Sequence, residues 1–341
     1  MKVLIGFEPQ IDAMLWQLAD ELRRKGVEVA MGPRPEGLGG IDYIPKTHTS
    51  LFANADVAVI PSQHRMQRAM MAALPHLRGI VAPAVGLDGV QLEDASGLGI
   101  LVANSAVPEN ADSMAEATVM LMLMMLYSPG KSAEVMRGVR PRPGATERWS
   151  RMLRGLTVGL IGYGRIGQAV SRRLQGFGVR LLVAQHQGVQ ATNGAQVVPL
   201  DLLLAESDIV SLHLNATPAT RHVIDAQAIA CMKPGALLVN TARGSLVDEA
   251  ALALALQSGH LAAAALDTFE VEPLTAASAL RTLDNLILTP HLVGQTRDMF
   301  DALLPICVTN VTDLLAGRVP HYCRNPGAQA LWRKRFPRSA V

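Results

Sequence analysis

Cysteine is scarce in this 341-residue chain: Cys231, Cys307 and Cys323 are the only three, and their spacing is neither paired nor of a metal-binding kind. That excludes a disulfide scaffold and a cysteine metal cluster, and it predicts a reducing compartment. Long hydrophobic runs are missing too. The longest, residues 117–127, falls far short of the ~20 apolar residues that cross a bilayer. The N-terminus, Met1-Lys2-Val3-Leu4-Ile5-Gly6, reads as a short strand and not as a leader. Charge of one sign is also lacking, with a formal net charge of +2. No global field therefore favours nucleic acid or an acidic membrane. The basic tail Arg333-Lys334-Arg335-Phe336-Pro337-Arg338 is a local exception, expected to be a solvated end. Repeats and low-complexity segments are absent. The expectation is a cytoplasmic protein with no metal and no nucleic-acid or membrane partner.

What is present is a globular composition, 49% hydrophobic and 18% charged, in a chain too long for one core and suited to two domains. Strand-like and helix-like segments alternate, which predicts parallel sheets covered by helices. A first α/β unit has strands near 2–6, 27–31, 56–60 and 79–82, with helices at 12–25 and 63–73 and a Gly/Pro-rich loop at 33–45. A long helix follows to about 127, with Glu109, Asp112 and Glu116 in its first turns. An irregular basic stretch covers 138–155. A second unit has strands at 157–161, 180–184, 208–212, 236–240, 262–266 and 285–288. Six strands in that order fit two mononucleotide-binding halves. A last helix, 295–315, contains Pro305, predicted to kink or split it.

Gly162-Tyr163-Gly164-Arg165-Ile166-Gly167 lies between an apolar strand and a helix start. In that context Gly162 permits a tight turn, Gly164 the approach of a pyrophosphate, and Gly167 helix-on-strand packing. The phosphates would meet free N–H groups and the positive end of a helix dipole. NAD-binding versions end the next strand with an acid that binds the ribose hydroxyls. Here Gln185 stands at that place, followed by His186. An amide does not repel a phosphate and a protonated imidazole attracts one, so NADP is slightly favoured over NAD. Arg172 and Arg173 are expected to face solvent.

Three polar residues follow in order: Arg243 after the strand at 236–240, Glu272 after that at 262–266, and His291 after that at 285–288. A guanidinium grips a carboxylate in bidentate fashion and polarises a neighbouring carbonyl. An imidazole supplies the proton as hydride arrives, and a carboxylate beside it raises its proton affinity. Glu270 competes with Glu272 for that place. Each alone is more simply read as a salt-bridged Arg, a structural His or a loop carboxylate.

Together, the fingerprint, Met232-Lys233-Pro234-Gly235, Asn240-Thr241-Ala242-Arg243-Gly244, Asp267-Thr268-Phe269-Glu270-Val271-Glu272-Pro273 and Thr289-Pro290-His291 resemble the D-isomer-specific 2-hydroxyacid dehydrogenase family. The resemblance covers most of the chain and is densest over 156–294. It implies two Rossmann-like, doubly wound parallel-sheet domains. The substrate domain would be discontinuous (1–104 and 294–341), enclosing an NAD(P)-binding domain at 105–293, with helices near 108–127 and 295–316 as the hinge. It implies catalytic Arg243, Glu272 and His291. Gly162, Gly164, Arg165, Ile166, Gly167, Gln185, His186, Thr217, Ala242, Asp267 and Gly294 would contact cofactor, Asp267 at the nicotinamide carboxamide. Substrate would meet Ser62, Gln63, Val85, Gly86, Arg243 and His291, with the loop Pro61-Ser62-Gln63-His64 facing the cleft. A homodimer is also implied. The expected activity interconverts a small 2-oxo acid and a D-2-hydroxy acid, with glyoxylate or hydroxypyruvate leading. Phosphite oxidation and a dinucleotide-sensing corepressor are the alternatives. The departures are Gln185, the bulky Leu292-Val293 after His291, and the Arg/Pro-rich 138–149.

Overall fold

A computed structural model describes residues 1–35, 40–144, 150–186, 188–190 and 192–337. The chain forms two compact units, Met1–Asn110 with Thr296–Val341, and Ala111–Gln295. The first unit carries strands Lys2–Ile5 (β1), Glu28–Met31 (β2), Asp42–Tyr43 (β3), Val57–Val59 (β4), Arg65–Met66 (β5), Gly79–Ala82 (β6) and Leu101–Asn104 (β7). Five of them make a parallel sheet in the order β2-β1-β4-β6-β7, while β3 and β5 pair apart. The central strands are apolar and buried on both faces, as a helix-covered parallel sheet requires. Helix Asp12–Arg24 buries Leu15, Leu18 and Leu22 along one stripe. Helix Arg297–Leu315 adds Cys307, Val311 and Leu314 to the same core. A Cβ at Gly79 would overlap the Leu314 side chain, so glycine there allows this helix its close approach.

Two expectations fail in this unit and one is narrowed. Residues 63–67 are not helical: β5 occupies part of the segment, and the helix is only Arg68–Ala72. His64 is fully buried. Its Nε2 donates to the Phe7 carbonyl at 2.9 Å, and its Nδ1 accepts from the Ile41 N–H at 3.3 Å. Those long-range bonds override local helix propensity, and they turn His64 into the interior. Helix Arg297–Leu315 continues through Pro305 unsplit, held by the buried stripe on either side of the proline. The basic tail is not simply solvated. Arg335 in helix Gln329–Arg335 donates to the carbonyls of Leu98, Leu74 and Pro75, at 2.6, 3.1 and 3.0 Å. Arg338 lies outside the described residues.

The second unit carries Thr157–Ile161 (β8), Arg180–Ala184 (β9), Gln196–Val198 (β10), Ile209–Leu212 (β11), Ala236–Asn240 (β12), Leu261–Leu266 (β13) and Leu286–Leu288 (β14). They form one parallel sheet, β10-β9-β8-β11-β12-β13-β14. Strand β10 was not anticipated; three residues with two exposed give too little pattern to read. The order reverses between β8 and β11, the switch point where such sheets bind ligands at their carboxyl ends. Arg173 is only partly solvent-facing. It donates to Asp112 and Glu116, each at 3.0 Å, tying helix Arg165–Leu174 to the acidic turns of helix Pro108–Tyr127.

Candidate active site

The candidate residues of the second unit lie on segments leaving the carboxyl ends of its strands. Gly162 follows β8 with φ at 101°, and a Cβ there would overlap the His213 carbonyl. Gly167 begins the buried side of helix Arg165–Leu174, where a Cβ would meet the Gly162 carbonyl. Gly164 differs: nothing lies within 4 Å of where its Cβ would be. An open cradle therefore adjoins the first turn of a ten-residue helix that has no side-chain cap, a fit for a pyrophosphate. Arg165 and Ile166 form that first turn. Burial takes the His213 imidazole down to about 4, so it is neutral beneath the glycine turn.

Gln185 and His186 follow β9 and are exposed. Beside them is a cavity of about 330 Å³, lined by Tyr163, Gly164, Gln168, His186, Val189 and Thr192 among others. Tyr163 anchors it, its hydroxyl 3.0 Å from both Ser171 Oγ and the Thr192 carbonyl. Nothing in the sequence singled out this tyrosine. Thr217 opens an exposed turn after β11 and shares hydrogen bonds with Thr220.

Arg243 is placed by Asn240, the last residue of β12. The buried Asn240 amide donates to the Arg243 carbonyl at 2.8 Å and accepts from the Ala242 N–H at 3.0 Å. Asp267, 2% exposed, follows β13. Its Oδ1 accepts from Thr289 Oγ1 at 2.7 Å and from the N–H groups of Leu292 and Val293 at 3.0 and 3.2 Å. One carboxylate oxygen thus organises the turn that carries His291, whose φ is +58°. Gly294 closes that turn, its carbonyl accepting from Ser113 Oγ at 2.6 Å. Asn240 and Asp267 are both end-of-strand polar residues in an apolar run, a signal the sequence did offer.

His291 Nδ1 donates to Glu272 Oε2 at 2.8 Å, and Glu272 Oε1 accepts from the Phe269 N–H at 3.0 Å. The hydrogen bond and charge of Glu272, with the charge of Asp267, hold the His291 imidazole above its ordinary range despite burial and nearby Arg243. Burial pushes the Glu272 carboxyl up, but the His291 bond and charge, the Phe269 N–H and Arg243 outweigh it and leave it below its ordinary range. Burial lifts Asp267 above the usual range, against its three donors and His291. The result is an imidazole biased toward its protonated form, a carboxylate behind it and a guanidinium whose charge both feel.

In the first unit, Ser62 and Gln63 follow β4, and Val85 and Gly86 follow β6, with the Val85 carbonyl accepting from the Asn104 amide at 2.7 Å. A cavity of about 840 Å³ there, lined by Arg65, Gln67, Arg68, Asp88, Gln91 and Asp94 among others, holds none of the four. Among the described residues no metal-binding cluster of His, Cys, Asp or Glu occurs, and no helix is long and apolar enough to cross a membrane.

A doubly wound parallel sheet with a glycine cradle at its switch point defines a dinucleotide-binding protein. Residues 119–293 match the family described as D-isomer specific 2-hydroxyacid dehydrogenase, NAD binding domain. The chain belongs to that family, enzymes that use NAD(P) to oxidise the CH–OH group of 2-hydroxy acids. It is 37% identical to a (S)-sulfolactate dehydrogenase of Chromohalobacter salexigens, over 78% of this chain and 86% of the relative. It is 34% identical to a glyoxylate reductase of Thermococcus onnurineus, over 78% and 82%. The structure of a D-lactate dehydrogenase from Aquifex aeolicus, complexed with NAD and lactic acid, superposes with a TM-score of 0.81 at 27% identity, covering 95% of this chain and 99% of that one. The chain spans about half the length of the D-3-phosphoglycerate dehydrogenases it also matches.

Proposed function

We propose that this protein reduces a small 2-oxo acid of the glyoxylate or hydroxypyruvate type to the D-2-hydroxy acid, and that it favours NADP over NAD. The observation that carries the reading is the His291–Glu272 hydrogen bond at 2.8 Å, with Arg243 near enough for its charge to act on both. A dinucleotide, when bound, would supply the hydride. Arg243 holds the substrate carboxylate and polarises the keto oxygen. His291 delivers the proton from Nε2 to that oxygen, while Glu272 on Nδ1 fixes the ring and stabilises its charge. In oxidation His291 takes the proton back.

Asp267 shapes the His291 turn and would also help hold the nicotinamide end of the dinucleotide. Gly162, Gly164, Arg165, Ile166, Gly167, Thr217, Ala242 and Gly294 would hold the cofactor. The backbone at Val85 and Gly86, with Ser62 and Gln63, contributes to substrate binding. Gln185, an exposed amide where an acid would repel a 2′-phosphate, supports NADP, as does His186 beside it. The relative named glyoxylate reductase supports a small substrate. Three free cysteines fit the reducing cytoplasm; a homodimer is proposed from family membership.

Initial rates with NADPH and NADH against glyoxylate, hydroxypyruvate, pyruvate and 3-phosphohydroxypyruvate test this. The expected result is turnover of the first two, faster with NADPH. No turnover of any 2-oxo acid with either cofactor would sink the reading. Arg243→Ala and His291→Ala should each abolish turnover and still bind dinucleotide by fluorescence titration.

A further inference from the structure

Two segments of the second unit carry the proposed chemistry, the Arg243 turn after β12 and the 269–272 segment after β13. Contacts outside the proposed reaction lock them together. Gly244 lies directly against the peptide joining Phe269 to Glu270, and a Cβ there would overlap both. The Glu270 N–H donates to Glu249 Oε1 at 2.7 Å. Glu270, the competing carboxylate of the sequence, does not reach for His291. It accepts from His222 Nε2, and Arg221 Nη2 donates to the same oxygen at 3.1 Å.

His222 joins the two segments. Its backbone N–H donates to the Ser245 carbonyl, two residues beyond Arg243, at 2.9 Å. Its side chain holds Glu270, two residues before Glu272. Its φ is +49°, a left-handed conformation unfavourable for a residue with a side chain unless its surroundings impose it. Here Ser245 on one side and Glu270 on the other impose it. The charged groups around this contact are Arg221, Glu249 and Glu270, and beyond them Glu272, Arg243, Asp267 and His291.

We propose that His222 and Glu270 are positioning residues whose hydrogen bond sets the 269–272 segment so that Glu272 meets His291 Nδ1. The proposal rests on the His291–Glu272 reading above. Neither residue touches the reacting atoms; His222 acts through Glu270, and Glu270 through the backbone that leads to Glu272.

Two substitutions separate position from charge. His222→Ala removes the contact and leaves the Glu270 carboxylate in place. Glu270→Gln removes the carboxylate. If the contact works by position, both loosen Glu272 and both move the His291 titration midpoint down, as followed by NMR of the imidazole protons. If it works only through space, loss of an anion moves the midpoint down while loss of His222 leaves it unmoved or moves it up. A fall in both variants supports the proposal, and any other pattern overturns it. The kinetic counterpart is a kcat lower by about tenfold on the alkaline side of the profile, with KM for dinucleotide unchanged and His222→Gln, which keeps a donor, restoring kcat. Thermal melts check that each variant is folded, and the exposed Glu270→Gln change keeps the test alive should His222→Ala destabilise. The titration needs no substrate, so it reports on positioning even if no 2-oxo acid is turned over, a result that would count against the proposed function instead.

Discussion

Replacing Glu272 by Gln keeps an oxygen able to accept from His291 Nδ1 and removes the negative charge. A hydrogen bond to a charged group contributes about 1.5–3 kcal/mol. His291 and Glu272 side chains are 42% and 30% exposed, so solvent screening puts this pair at the lower end. Roughly 1.4 kcal/mol corresponds to a factor of ten. On the proposed mechanism reduction needs protonated His291, and Glu272 is what holds its affinity for that proton high. The expected outcome is therefore dependent on pH. Where His291 is protonated with or without Glu272, kcat/KM for reduction changes little. On the alkaline side it falls about tenfold, and the whole alkaline limb moves toward lower pH. The assay is kcat/KM for glyoxylate with saturating NADPH, across the imidazole titration. A uniform loss at every pH, or a limb that stays in place, would refute the assignment of Glu272 to His291. Stability should follow the same pair. The raised His291 contributes at low pH and loses its contribution as pH rises through its folded value. The lowered Glu272 contributes at high pH and loses its contribution as pH falls through its folded value. The difference in unfolding free energy between wild type and Glu272→Gln should thus peak between the two and shrink on both sides.

Gly164→Ala should leave the thermal midpoint nearly unchanged, because no atom lies within 4 Å of the new methyl group, yet weaken dinucleotide binding measured by fluorescence. Gly162→Ala should fail to yield folded protein, since its φ of 101° and the His213 carbonyl both oppose a side chain; equal melting of the two variants would contradict this. Thr268 Oγ1 is buried with no hydrogen-bond partner among the described residues. Thr268→Val should stabilise by about 1 kcal/mol and raise Tm by roughly 2–4 °C. Trp332→Ala removes a buried indole, 1% exposed, that donates to the Arg78 carbonyl at 2.7 Å, and should cost about 3–5 kcal/mol in chemical denaturation.

Much of the second unit was legible because its signals are local. Apolar β8 runs into the glycine turn, and Arg243, Glu272 and His291 each follow a strand closely. What escaped was set by distant partners. His64 looked like the start of a helix until Phe7 and Ile41 claimed its ring. Arg173 looked solvated until two acids from another helix reached it. Arg335 looked like a loose end, and its three carbonyl partners lie more than 230 positions earlier in the chain. Strand β10 has too few residues for any periodicity to show. The choice between Glu270 and Glu272 was not a matter of spacing at all; Glu270 is occupied by His222 and Arg221, which leaves Glu272 to His291.

The first unit is written in two parts, with residues 111–295 between them. Its core needs Cys307, Val311, Leu314 and Trp332 to cover the sheet that the first hundred residues lay down. At about 5–20 residues per second of synthesis, the early strands wait on the order of 10–40 s for their missing cover. The second unit, continuous in the chain, has no such wait. During synthesis it is expected to be the first to reach its native state, and the exposed sheet of the first unit is the surface on which a chaperone, or a neighbouring nascent chain, has time to act.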